Sequence, residues 1–203
     1  MKPEPPPKSD WAGHLVFLGA LVRNPREVGA ILPSSVELAR RMVRDVAPSS
    51  RIVELGPGTG VITRELVARK GDGGALLAID TSAAFVERLR RALPGVDVVC
   101  ASAETLPALA AERGWHEVDH IVSGLPFAVL PAATTGLILD GVRQILRAGG
   151  TFTTFQYVHA YRLPPAAAFR RDLSRLLGCQ PSSQIVVRNV PPALVLTWRR
   201  PRR

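Results

Sequence analysis

From Arg51 onward the apolar positions of this chain change period repeatedly. Short, nearly continuous apolar runs, such as Ile52, Val53 and Leu55, give way to longer stretches in which apolar residues recur every third or fourth position. A short continuous run suits a strand covered on both faces, and a 3.6-residue recurrence suits a helix lying on a sheet. The pattern predicts strands at residues 51–55, 75–80, 96–100, 119–123 and 151–156, with helices at 59–69, 82–93, 133–146 and 166–177. Gly71, Pro94 and Gly149 close the first three helices. Two further β-rich segments, 183–189 and 193–199, are parted by Pro191 and Pro192 and predict an antiparallel finishing pair. Such alternation makes an α/β fold: a doubly wound sheet of seven strands, mostly parallel with an antiparallel C-terminal strand, and helices on both faces.

Ahead of the sheet the pattern differs. Residues 1–9 are proline-rich without an apolar run, and a disordered arm is expected there. Asp10 is placed to cap a helix through "WAGHLVFLGALV", which Arg23, Asn24 and Pro25 end, and Trp11, Leu15, Leu18 and Val22 share one of its faces. A second helix opens with the capping-box spacing of Ser34 and Glu37 and stops before Pro48. Residues 10–47 are thus expected to form N-terminal helices, and residues 48–203 one α/β domain.

Composition adds bounds. With 203 residues, 46% of them hydrophobic, the chain can bury one sizeable core. Lys and Arg total 26 against 17 Asp and Glu, a net charge of +9 that attracts a polyanion, either nucleic acid or an anionic membrane. No run reaches the roughly 18 apolar residues of a spanning helix, and the start lacks the pattern of a signal peptide. Cys100 and Cys179 lie far apart without metal-ligand spacing, so a cytoplasmic protein with reduced thiols and no metal is expected.

The candidate chemistry begins at "VELGPGTG". Gly56, Gly58 and Gly60 follow a buried strand and precede a helix, where a tight turn lets a ligand touch backbone. Their G-x-G-x-G spacing departs from the G-x-G-x-x-G of dinucleotide sites, and the negative charge of Glu54 beside the turn repels pyrophosphate. A cationic, phosphate-free cofactor fits better. Asp80 ends the second strand, where a carboxylate commonly accepts hydrogen bonds from ribose hydroxyls.

In these residues the sequence resembles the class I S-adenosylmethionine-dependent methyltransferases, whose fold is Rossmann-like. "VELGPGTG" is similar to their glycine-rich first motif, Asp80 to the ribose-binding acid, and "ASAETL" from Ala101 to the segment along the adenine. The resemblance implies cofactor contacts from Glu54, Gly56, Pro57, Gly58, Thr59, Gly60, Asp80, Thr81, Ser102, Ala103, Glu104 and Ser123, with Ser34 and Ser35 from N-terminal helices over the cleft. Glu54 is implied to hold the amino acid end of the cofactor. Ser102 stands where the family often has Asp, and Glu104 or the Ala103 backbone is expected to compensate.

"SGLPF", Ser123 to Phe127, resembles the proline loops of amino-group methyltransferases, in which backbone carbonyls and a polar side chain orient the acceptor nitrogen. Two families share it. The ribosomal RNA adenine dimethylases have Asn where Ser123 stands. The bacterial phospholipid N-methyltransferases of the peripheral type are the nearer likeness, through Phe17, "RNPREVGAILPSS" from Arg23, "VSGLP" from Val122, and Gln156 with Tyr157. This resemblance implies N-methylation of phosphatidylethanolamine, and of its mono- and dimethyl derivatives, towards phosphatidylcholine. Gly124, Leu125 and Tyr157 are the implied catalytic residues, and Pro126, Phe127, Gln156 and Tyr157 the substrate contacts. His159 is an alternative proton acceptor.

Trp11, Leu15, Phe17, Leu18 and Arg23 are expected to contact the membrane, as an interfacial helix or else as a core helix over the sheet. The expected partners are a phospholipid substrate and an anionic membrane surface on the inner face of the cell membrane, without nucleic acid. An RNA adenine N6-methyltransferase and a non-enzymatic binding module are the alternatives, and oligomeric state is left open.

Overall fold

The computed structural model describes residues 35–202. Seven strands form one sheet: β1 (Arg51–Leu55), β2 (Ala75–Asp80), β3 (Asp97–Cys100), β4 (Val118–Ser123), β5 (Leu146–Tyr157), β6 (Ser182–Val186) and β7 (Ala193–Arg199), in the order β3-β2-β1-β4-β5-β7-β6. The first five are parallel, and β7 runs antiparallel to both of its neighbours. Strand order reverses between β1 and β4, and the carboxyl ends of those strands therefore flank the crevice where open α/β sheets bind ligands.

Successive side chains of a strand point to opposite faces, and two cores follow from that alternation. Ile52, Leu76, Ala78 and Val122 pack on one face against Leu38 and Met42 of α1 (Val36–Met42), Ile62 and Leu66 of α2 (Val61–Lys70), and Val86 and Leu89 of α3 (Ala83–Ala92). Val53, Leu55, Leu77, Ile79, Ile121 and Phe152 pack on the other against α4 (Leu106–Glu112), α5 (Ala132–Ile145) and α6 (Pro164–Leu177). Short 3-10 turns, Ala103–Thr105 and Val158–Ala160, follow β3 and β5.

The sequence pattern missed α4, whose single buried stripe of Leu106, Leu109 and Ala110 spans too few turns to establish a period. It also began β5 late. Gly149 reads as the close of the preceding helix, yet the chain is already in the sheet there, with the Gly149 N–H donating to the Arg200 carbonyl (2.8 Å) and the Arg200 N–H to the Gly150 carbonyl (2.9 Å). The second N-terminal helix is shifted from its expected Ser34–Glu37 capping box: its N-cap is Ser35, whose hydroxyl accepts from the Leu38 N–H at 3.1 Å, and it ends at Met42 rather than just before Pro48. The expected arm, the helix from Asp10, and the membrane contacts Trp11, Leu15, Phe17, Leu18 and Arg23 lie outside the described residues, as does Ser34.

Candidate active site

The turn after β1 carries Gly56, Gly58 and Gly60 at φ of +71°, +53° and +82°, a region that L side chains rarely occupy. The three glycines serve different ends. A Cβ on Gly56 would meet Leu125 Cδ2 at 2.8 Å, and one on Gly60 would meet Leu89 Cδ2 at 2.4 Å, so both positions are closed by the protein itself. A Cβ on Gly58 would meet nothing within 4 Å among the described residues. Gly58 is the glycine that leaves its space open to a ligand. Pro57 is buried within the turn and its carbonyl accepts from the Gly60 N–H (2.9 Å), while Thr59 lies at its half-exposed rim.

Two carboxylates stand on the α2–α3 face of the neighbouring strands. Asp80 accepts from the Gly58 N–H through Oδ2 (3.0 Å) and from the Ser82 N–H through Oδ1 (2.9 Å), which shapes the glycine turn and opens α3. Each oxygen keeps a second lone pair for an outside donor such as a hydroxyl. Glu54 is fully buried, and among the described residues neither of its oxygens has a hydrogen-bond partner. Burial pushes its pKa up to about 8; the nearby Thr63 hydroxyl opposes the rise without reaching hydrogen-bond geometry, and the Asp80 carboxylate adds to it. An orphaned buried carboxylate beside an open glycine turn calls for a cationic ligand. The ammonium end of S-adenosylmethionine meets that requirement, and the chemistry of these residues fits the cofactor.

Beyond β2 and β3, Thr81 is exposed. The Ser102 hydroxyl donates to Glu104 Oε2 (3.2 Å) and accepts from the Glu104 N–H (3.3 Å), capping the 3-10 turn in which Ala103 is buried. Its hydroxyl is engaged locally, so Glu104 is the polar group this segment holds ready beside the cleft.

The loop after β4 abuts the glycine turn. A Cβ on Gly124 would lie 2.6 Å from the Gly56 carbonyl oxygen, and the Gly124 N–H donates to the Leu55 carbonyl (2.8 Å). Ser123 is fully buried, and its hydroxyl accepts from the Leu125 N–H (3.2 Å), which shapes the loop. Phe127 is a correction to the sequence reading: it is 4% exposed, its ring stacked on Phe169 with centroids 4.1 Å apart, and it seats the loop in the core without offering a face to substrate. The Leu125 carbonyl accepts from the Phe127 N–H (3.0 Å) and the Pro126 carbonyl from the Val129 N–H (2.9 Å). Among the described residues neither the Gly124 nor the Phe127 carbonyl accepts a hydrogen bond, and Gly124 is the one pressed against the glycine turn.

Gln156 and Tyr157, adjacent on β5, point to opposite faces. Gln156 is buried on the α6 side, where Nε2 donates to the Ala166 carbonyl (3.4 Å) and Oε1 accepts from Arg170 (2.5 Å). Tyr157 stacks on His159 (centroids 5.6 Å apart), and its buried hydroxyl has no partner among the described residues. Burial raises the Tyr157 pKa, which keeps the phenol protonated and able to donate. Ser35 is tied to the other end of this region, its N–H donating to Asn189 Oδ1 (2.9 Å). Arg170 escaped the sequence reading. Its signal was there: it lies four residues after Ala166 on the buried stripe of α6, where a charged residue is out of place.

A sequence profile of the methyltransferase domain matches residues 52–150. The chain is 28% identical to an ornithine lipid N-methyltransferase of Singulisphaera acidiphila over 178 residues, 76% of this chain and 93% of that protein. It is 48% identical over 50 residues to ribosomal RNA small subunit methyltransferase A of Methylococcus capsulatus, which is 25% of this chain and 18% of that enzyme. Among solved structures, the fold is similar to that of the 1,6-didemethyltoxoflavin-N1-methyltransferase of Burkholderia thailandensis, with a TM-score of 0.63 and 19% identity, covering 100% of this chain and 93% of that one. Strand order, glycine turn, orphaned Glu54 and these likenesses agree, and the chain carries a class I S-adenosylmethionine-dependent methyltransferase domain.

Proposed function

We propose that this methyltransferase acts on the primary amine of a membrane lipid headgroup, methylating phosphatidylethanolamine and its mono- and dimethyl derivatives towards phosphatidylcholine at an anionic membrane surface. The observation that carries this reading is the Gly124 carbonyl, an acceptor without an internal donor, on a loop pressed against the glycine turn. S-adenosylmethionine supplies a methyl group on a sulfonium sulfur, and transfer to nitrogen needs a neutral amine held in line at about 3 to 3.5 Å. An alkylammonium with a pKa of about 10.4 must first lose a proton. The Gly124 carbonyl orients the remaining N–H, and the proton passes to water, since residues 123–127 contain no carboxylate. The likeness to a lipid N-methyltransferase along nearly its whole length supports a lipid amine as acceptor.

A docking surface supports the membrane part of the reading. Val158, Leu163, Val187 and Val190 are exposed, and the Val158 N–H donates to the Pro192 carbonyl (3.0 Å), which joins the end of β5 to the β6–β7 connection. Arg162 and Arg188 are exposed among them, and residues 158–171 and 181–202 contain no Asp or Glu. Apolar side chains framed by cations without acids complement an anionic lipid interface. Among the described residues no helix is long and apolar enough to cross a membrane.

Sequence identity to an RNA methyltransferase over part of the chain favours an RNA adenine as the second reading. Labelled methyl donor offered with phosphatidylethanolamine in anionic vesicles, with ornithine lipid in the same vesicles, or with ribosomal RNA separates the readings. Label in phosphatidylethanolamine is expected; label in RNA alone refutes the lipid reading.

A further inference from the structure

Arg170 is a charge held by neutral groups. From α6 its Nη1 donates to Gln156 Oε1 (2.5 Å) and to the Tyr161 carbonyl (2.8 Å), and its guanidinium carbon lies 3.7 Å from the centroid of the Tyr161 ring. The other arginines of this helix, Arg171 and Arg175, pair with Asp172, whereas Arg170 forms no ion pair among the described residues. Burying part of a charge without a counter-ion is unfavourable unless a ligand supplies one. Gln156 is itself clamped through Nε2 to the Ala166 carbonyl, so the guanidinium is fixed from both β5 and α6. Nε and Nη2 keep their donors among the described residues, the fork that pairs with two oxygens of a phosphate or carboxylate. The preceding residue, Phe169, carries the stack that seats Phe127, so α6 both braces the substrate loop and bears the fork.

We infer that Arg170 binds the anionic group of a zwitterionic amino-lipid headgroup, the phosphate of a phospholipid or the carboxylate of an amino-acid lipid, while the Gly124 carbonyl receives the amine. The inference rests on the lipid reading above. An anchor on the anion has a specific merit for repeated methylation. Each transfer removes an N–H donor from the nitrogen, but the anion is the same in every acceptor, so Arg170 holds the first, second and third equally.

The test is calorimetric binding and methylation of three soluble amines by wild type, Arg170→Ala and Arg170→Lys, with S-adenosylhomocysteine present for the binding arm. The amines are dihexanoyl phosphatidylethanolamine, a short-chain N-acyl ornithine, and a medium-chain alkylamine that lacks an anion. Arg170→Ala is expected to weaken binding and raise KM for an anion-bearing amine about 10- to 100-fold, with little change in kcat. Arg170→Lys recovers part of the loss, and the alkylamine is handled alike by all three proteins. The lipid that loses more identifies phosphate or carboxylate as the natural anion. If Arg170→Ala impairs the alkylamine equally, Arg170 is only a brace between α6 and β5 and the inference falls. Unchanged binding in Arg170→Ala together with normal methylation also overturns it and leaves the lipid reading standing. Binding of the phospholipid that depends on Arg170, without methylation of any amine, upholds the anion site and removes the lipid reading.

Discussion

Glu54 is the residue whose state the ligand changes most. In the ligand-free protein, burial holds its pKa near 8, so at pH 7 the carboxyl carries a proton, while in the unfolded chain it ionises near 4.5. A raised folded-state value means that the native state binds the extra proton between those limits. Stability of the free protein therefore falls as pH rises from 4.5 towards 8, by roughly 5 kcal/mol in full, and Glu54→Gln is expected to flatten that fall in thermal unfolding. A cationic ligand reverses the balance by favouring the ionised form. Binding of S-adenosylmethionine or its product at pH 7 is expected to release close to one proton, with affinity rising up to about tenfold per pH unit until the pH passes 8. Calorimetry in buffers of different ionisation enthalpy measures the proton directly, and Glu54→Gln should abolish it. Gly58 provides the steric counterpart. Gly58→Val puts a side chain at φ +53° into the open space of the turn, and loss of cofactor binding in a protein that still folds is the expected result.

At the scale of elements, β1, β2 and β7 coincide with the runs read from the sequence, because a buried strand declares itself by its own apolar residues. The glycine turn and Asp80 were legible for a similar reason: their spacing is local. What escaped depends on distant partners. That Gly58 and not Gly56 or Gly60 is open follows from Leu125 and Leu89, which no spacing rule brings to the turn. Phe127 was read as a substrate contact because its loop adjoins the cleft, and Phe169 on α6 takes the ring instead. The proposed docking surface is likewise not local in sequence, since the hydrogen bond from Val158 to the Pro192 carbonyl is what joins the end of β5 to the connection bearing the exposed Val187 and Val190. Replacing Val187 and Val190 together by Asp should abolish sedimentation with anionic vesicles and methylation of bilayer lipid, while turnover of a short-chain soluble substrate persists. Loss of both activities would assign the connection to folding.

For the molecule as a whole, the net charge of +9 sets how strongly an anionic surface is felt, and ionic strength sets how far. Attraction to an anionic bilayer reaches about a Debye length, roughly 8 Å at physiological ionic strength, and each nearby Lys or Arg contributes about 1 kcal/mol. Vesicle binding is expected to require anionic lipid and to weaken progressively between low and high salt, whereas catalysis on a soluble amine varies less. Salt-insensitive binding would mean that apolar insertion alone holds the protein to the bilayer.

The stack that seats the substrate loop does not end at Phe169. That ring meets the Trp198 indole edge-on, with centroids 5.9 Å apart, and Phe152 meets it from another side at 6.1 Å, while the indole N–H donates to Ser174 Oγ at 2.9 Å. Trp198 is fully buried on β7, and it therefore senses the loop through rings and not through solvent. The enzyme consequently contains its own optical gauge. With Trp11 and Trp115 changed to Phe, the emission of the remaining indole follows any reseating of Phe127 as an acceptor arrives, in real time and without an added dye.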